Sequence, residues 1–153
     1  MADHSKRIGK ADESAKELII EILGHNVTYG FDVDSIYYIR KEDKWILIEL
    51  LKCDHKTVTP KNSHPRRYWN KNWRKFAALW KLRNGLDAEL YLVNYEDEGH
   101  ANMQGRKERQ FLVINVKKMD PKENGGITSE KSLECDYSGF RDWFLDINSR
   151  AGK

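Results

Sequence analysis

The sequence predicts an α/β fold in which a mixed sheet is flanked by helices, in the order α-β-β-β-α-β with a further strand and helix at the C-terminus. Three observations carry this. Two runs rich in Ile, Tyr, Trp and Leu, residues 33–40 and 45–52, are separated by the short polar segment Lys41-Glu42-Asp43, the pattern of a hairpin. Trp69, Trp73, Phe76 and Trp80 then recur at i, i+4, i+7 and i+11 within residues 66–86, one apolar stripe of a long helix. A further β-prone run, residues 88–95, follows that helix, so a helical crossover can place it parallel to a hairpin strand.

The remaining elements follow in order. Ala15, Leu18, Ile19, Ile22 and Leu23 have helical spacing after Asp12-Glu13-Ser14, and Gly24 stops the pattern, which predicts an amphipathic first helix. Residues 27–31 are short and β-prone and predict a strand ahead of the hairpin. Pro60, Asn62, Ser63 and Pro65 mark residues 53–65 as a loop, and Gly85 is placed to close the long helix. Residues 96–108 are polar and Gly-containing and predict a mobile loop. Residues 110–116 predict a strand, 120–134 a long connection, and 136–150 a final helix with Tyr137, Phe140, Phe144 and Ile147 inward. The tryptophan stripe has the spacing of one buried face, which favours helix-to-sheet core over a platform for stacking bases.

Composition removes several function classes. A chain of 153 residues predicts a single domain, and 39% apolar residues with five tryptophans exclude wholesale disorder. The longest apolar runs, such as Trp45-Ile46-Leu47-Ile48, fall far short of the roughly 20 residues of a membrane span, and the charged N-terminus lacks the apolar stretch of a secretory signal. The expectation is a cytoplasmic protein with no membrane partner. Cys53 and Cys135 have no zinc-knuckle or redox spacing and read as reduced, buried thiols. His55 and His64 lack ligand spacing to a second His or Cys and read as solvent-exposed.

Charge is unevenly distributed. Between Lys52 and Arg83 ten Lys and Arg stand against Asp54 alone, a net +9, while the whole chain is only +3. Such asymmetry is the electrostatic footprint of a polyanion, most often nucleic acid. The candidate contacts are Lys56, Lys61, Arg66, Arg67, Lys71, Arg74 and Lys75; the competing reading is a solvated basic helix face.

Three acids could carry chemistry. Glu49 interrupts the apolar run Ile46-Leu47-Ile48-Glu49-Leu50-Leu51, where an isolated carboxylate is costly to bury and calls for a cation, a metal or a solvent opening. Asp32 and Asp34 begin the second predicted strand, and a hairpin can bring Asp34 beside Glu49. Two carboxylates and a backbone carbonyl there could hold a hard divalent cation such as Mg²⁺, with Lys52 near a phosphate or a water nucleophile. The structural alternative has Asp32 and Asp34 capping the strand, with Glu49 pairing to Arg40 or Lys44 across the hairpin.

The element order, the acid Asp34 on the second predicted strand, and an acid followed closely by a lysine on the third resemble the PD-(D/E)XK nuclease superfamily over about residues 14–95. The resemblance implies a restriction-endonuclease-like fold and a metal-dependent nuclease acting on phosphodiester bonds, in DNA above all, with Mg²⁺ or Mn²⁺ as cofactor. Asp34 and Glu49 would be the metal-binding acids, and Lys52 the lysine that orients or activates the attacking water. Glu17 or Glu21 on the first helix would be a weaker fourth candidate. A homodimer that cuts both strands is also in keeping, although the chain carries no dedicated dimer helix. One departure bears on the chemistry, because the family spaces acid and lysine as Glu-x-Lys, whereas this chain reads Glu49-Leu50-Leu51-Lys52. In a regular strand Lys52 points away from Glu49. Three outcomes are open: a β-bulge re-aims Lys52, Lys71 or Lys75 on the following helix takes the role, or catalysis is lost and a nucleic-acid-binding module remains. A protein-interaction domain whose basic face meets an acidic partner is a third function class.

Overall fold

In the computed structural model, residues 13–123 and 125–153 are described, and the chain divides into two units, Met1–Asp32 and Val33–Lys153. In the first unit, α1 (Ser14–Leu23) forms as expected and ends at Gly24, whose φ of 54° lets its N–H reach the Ile20 carbonyl at 3.0 Å. The strand expected at residues 27–31 does not form. Its β-prone side chains, Val27, Tyr29 and Phe31, stay exposed, and β-propensity without cross-strand neighbours specifies nothing.

The second unit is a five-stranded sheet in the order β1-β2-β3-β4-β5. β1 (Ser35–Ile39) and β2 (Lys44–Lys52) form the expected hairpin, in register from Ser35 opposite Ile48 to Ile39 opposite Lys44. A 3₁₀ turn at Arg40–Glu42 reverses the chain, with Asp43 at φ 46° accepting from the Tyr38 hydroxyl at 2.6 Å. α2 (Trp69–Leu86), entered through a 3₁₀ turn at Pro65–Tyr68, crosses over so that β3 (Glu89–Tyr95) pairs parallel to β2. Asp87, not Gly85, is the left-handed residue that ends α2, because its N–H reaches back to the carbonyls of Arg83 and Asn84. β4 (Gln110–Met119) and β5 (Ile127–Asp136) then add antiparallel, and α4 (Tyr137–Ala151) closes the chain.

Alternation along the strands sorts the core into two layers. Leu47, Leu90, Leu92, Leu112, Ile114 and Val116 meet Trp69, Phe76 and Leu79 of α2 on one face. Ile39, Ile46, Ile48, Val93 and Val113 meet Phe140, Trp143, Phe144 and Ile147 of α4 on the other. The α2 stripe is thus core through Trp69 and Phe76, with Trp80 packed at its margin, but Trp73 is 45% exposed. At i+4 from Trp69 it falls on the flank of the helix, beside Arg74, whose guanidinium lies 5.6 Å from the ring centroid.

Two more expectations are corrected. Residues 120–134, read as a connection, supply most of β5, an edge strand too polar to show alternation, carrying Glu130, Lys131 and Glu134. Residues 96–108, read as a mobile loop, contain α3 (Glu98–Met103) and bury Glu96 and His100. Asp97 caps α3 by accepting from the His100 N–H at 2.8 Å. Among the described residues no helix is long and apolar enough to cross a membrane. Both cysteines are free; Cys53 is buried, and Cys135 half-buried.

Candidate active site

Odd-numbered residues of β2 face α2, so Glu49 stands in line with Leu47 and is only 2% exposed. Lys75, on the face of α2 above it, contributes the compensating charge: its amine is ion-paired to Glu49 Oε1. Lys44, the pairing alternative across the hairpin, instead bridges Glu89 at 3.0 Å. Glu49 Oε2 is buried with no hydrogen-bond partner. Burial pushes the Glu49 carboxyl above its ordinary value; the Lys75 hydrogen bond opposes that, and the negative charge of Asp34 adds to it.

The hairpin register brings the two acids together. Ser35 lies opposite Ile48, so Asp34 precedes it beside Glu49, and its Oδ2 accepts from the Leu50 N–H at 2.7 Å. Asp32, Glu17 and Glu21 belong to the other unit. The bulge that would re-aim Lys52 is not formed: Glu49 to Lys52 pair one for one with Leu92 to Tyr95. Lys52 therefore alternates to the opposite face, and its amine lies 3.2 Å from Asp97 Oδ2. The lysine that stands beside the acids is Lys75, from the crossover helix.

Glu49 and Lys75 open into a cleft of about 630 Å³ between the C-terminal end of β2, residues 53–65 and the start of α2, with Asp34 outside its lining. Glu49, His55, Tyr68, Lys71, Asn72 and Lys75 are among its lining side chains. Of the other predicted nucleic-acid contacts, Lys56, Arg66 and Arg74 are exposed. Lys61 lies 3.8 Å from Glu134, and Arg67 donates to the Asn62 carbonyl at 2.6 Å, so both are partly engaged within the fold.

The loop wall of the cleft is held from behind. Asn94, at the inward position after Leu90 and Leu92, donates to the carbonyls of Pro60 at 3.1 Å and Ser63 at 2.8 Å. Gln104 donates to the carbonyls of Lys56 and Val58, and His100 Nε2 to that of His55 at 2.9 Å. His100 Nδ1 in turn lies 2.6 Å from Glu96 Oε1. The Glu96 carboxylate, fully buried, also accepts from both terminal nitrogens of Arg106 and from the Gln110 N–H at 2.6 Å. Burial alone would raise the Glu96 carboxyl, but the Arg106 and His100 bonds outweigh it and hold it below its ordinary value. The bond to the His55 carbonyl, then that to Glu96, lifts the His100 imidazole above its ordinary value against the pull of burial. Both His100 nitrogens face acceptors, which is the hydrogen-bonding pattern of an imidazolium. His64, read as exposed, is half-buried with Nε2 2.7 Å from Glu130.

Glu49 Oε2, buried and without a hydrogen-bond partner, and the adjacent Asp34 carboxylate are oxygen donors of the kind a hard divalent cation takes. No group of three or more His, Cys, Asp or Glu among the described residues could hold a metal ion, so side chains would supply two ligands. Mg²⁺, which keeps several waters and uses one or two carboxylates, suits such a site. Comparison of the chain with protein-family models, with curated proteins and with solved structures found no match.

Proposed function

We propose that the protein is a metal-dependent nuclease that hydrolyses phosphodiester bonds, in DNA in the first instance, with the cleft beside β2 as its active site. The single observation that carries this is Glu49: a carboxylate kept 2% exposed in a cleft that also presents Lys71 and Lys75, with a lysine on one oxygen and nothing on the other, and with Asp34 next to it across the hairpin. Such an arrangement costs stability relative to apolar packing, and a reactive site is a reason to keep it. Asp34 and Glu49 would hold Mg²⁺ or Mn²⁺, which supplies an acidified water and offsets charge on the phosphoryl group.

The chain's own residues divide the remaining work. Lys75 favours the ionised form of Glu49 and so keeps it competent as a ligand, while Glu49 holds the Lys75 amine at the floor of the cleft. Lys71, on the same side of α2, presents a positive charge to a substrate phosphate, and Lys56, Arg66 and Arg74 extend the basic surface outside. Lys52 also borders the cleft, but its amine is tied to Asp97 and it takes no part in this reading.

Plasmid and oligonucleotide cleavage with Mg²⁺ or Mn²⁺ against EDTA is the test. Metal-dependent nicking that is lost in Asp34→Ala, Glu49→Ala and Lys75→Ala but kept in Lys52→Ala is the expected result. A second reading, a binding module of the same fold without catalysis, is favoured by the absence of a three-ligand acidic cluster among the described residues. Salt-sensitive binding with no cleavage under any metal would establish it in place of the first.

A further inference from the structure

Among the described residues His55 is the one histidine lining the cleft, and it is held at both its ring and its backbone. The Thr57 N–H donates to its Nδ1 at 3.2 Å, and the Thr57 hydroxyl lies 2.7 Å from the same nitrogen. With Nδ1 serving as an acceptor, the ring proton resides on Nε2, and no described residue accepts from it. The backbone of the same residue is fixed by the His100 bond to its carbonyl, and the next anchors, Lys56 and Val58, by Gln104.

The brace behind His55 is an unusual investment for a surface loop. Glu96 is fully buried and His100 4% exposed, and neither contributes to the two apolar layers of the sheet. A buried ionic group adds little stability over apolar packing, but it confers fixed geometry. Here the geometry it fixes is that of the cleft wall.

We propose that His55 is a substrate-contacting residue, its Nε2–H donating to a phosphate oxygen in the cleft, and that His100, held by Glu96, is the residue that positions it. This rests on the reading of the cleft as a phosphodiester site. The ligand class is a phosphodiester oxygen anion, because the cleft offers Lys71 to negative charge beside the Lys75–Glu49 pair and an N–H donor adds direction to that attraction.

The test follows the His55 ring by ¹⁵N NMR while a short DNA duplex is added to the full chain with Ca²⁺ in place of Mg²⁺, together with duplex affinities of variants by fluorescence anisotropy. The His55 Nε2 signal should move on titration. His55→Ala should weaken binding about tenfold, equivalent to about 1.4 kcal/mol, and His55→Gln, which keeps an N–H donor, should regain part of the loss. His100→Leu should cost a similar factor, and the double variant His55→Ala/His100→Leu no more than either single one, because both remove the same contact. A purely structural role for His100 would instead add its loss to that of His55→Ala. Duplex binding with the His55 ring unmoved and His55→Ala unchanged overturns the inference and leaves the nuclease reading intact. A moving His55 in a protein that cuts nothing upholds the inference and removes the nuclease reading in favour of the binding module. No duplex binding at all overturns both.

Discussion

Removing the Lys75 charge is the sharpest probe of the site, because it strands a buried carboxylate. Lys75→Met keeps most of the aliphatic volume and leaves Glu49 with no compensating charge on Oε1 while Oε2 already lacks a partner. Breaking a buried ion pair from one side costs about 3–5 kcal/mol; Glu49 is 2% exposed but the Lys75 side chain is 28% exposed, which places the expected loss near the lower end, about 3 kcal/mol at pH 7. For a chain of this length that corresponds to a fall of about 6–12 °C in Tm. The loss must also depend on pH. The Glu49 carboxyl is raised in the folded state, so the folded chain binds that proton more tightly than the unfolded one, and stability falls as pH rises from the ordinary carboxyl value through the raised one. Lys75 limits that fall, so the deficit of Lys75→Met should be full at pH 7 and shrink towards zero below the ordinary value of 4.5, where both states carry the proton. Glu49→Leu combined with Lys75→Met should return to wild-type stability or exceed it, with no cleavage activity. Urea unfolding of the three proteins, wild type, single and double variant, at neutral and acid pH measures all of this. A Lys75→Met deficit that is absent at pH 7, or equal at both pH values, would refute the claim that the pair is a charge compensation in a dry site.

Three further outcomes are expected. Phe76→Ala should cost about 3–5 kcal/mol in urea unfolding and Trp73→Ala less than about 1 kcal/mol, since Phe76 is 1% exposed and Trp73 sits on the helix flank; equal costs would mean that α2 packs in another rotation. Gly126→Ala should destabilise by about 3 kcal/mol or more, because Gly126 has a φ of 64° and an added Cβ would fall within the Trp69 ring, and a neutral Tm would contradict that contact. The His100 bonds supply stability that is fully present below the ordinary histidine value of 6.5 and is lost as pH rises through the raised value of the folded state. The Glu96 bonds supply stability present above the ordinary carboxyl value of 4.5 and lost as pH falls through its lowered folded value. The stability gap between the wild type and His100→Gln, measured by denaturation across pH, should therefore narrow on the alkaline side; a gap that stays constant would mean that His100 is neutral throughout.

The parts of this fold that were legible in the sequence are those that are dry. The continuous apolar run in residues 45–52 expresses a strand buried on both faces, the helical spacing of Trp69, Phe76 and Trp80 expresses burial against a single partner, and the sheet and crossover follow from them. Glu49 was legible for the same reason, as a charge in an apolar strand, and so was its neighbour Asp34 once the hairpin was assumed. What escaped detection is polar structure that satisfies itself at long range. Glu96, His100 and Arg106 look like a loop because their burial depends on one another and on the His55 carbonyl, and no local periodicity encodes that. β5 was missed because its side chains are mostly wet on an edge, and the choice of Lys75 over Lys52 was decided by the absence of a bulge, which β2 gives no sequence sign of. Asn94 did leave a sign: it is a polar residue at the inward step after Leu90 and Leu92.

The single parallel pairing in an otherwise antiparallel sheet also orders events in time. β1 with β2, and β3 with β4 and β5, are each closed by short or antiparallel connections, whereas β2 meets β3 only after the whole of α2 has been looped back. Loop-closure entropy makes that long-range pairing the slow one. The carboxylates Asp34 and Glu49 come together within the hairpin, but Lys75 reaches them from the crossover, so during folding the acids meet before their counter-charge arrives. Acid pH, by protonating Glu49, should therefore ease the late step, and pulse-labelled hydrogen exchange should show amides of β1 and β2 protected before those that bridge β2 to β3. Simultaneous protection of both sets would mean that the site assembles in one concerted step.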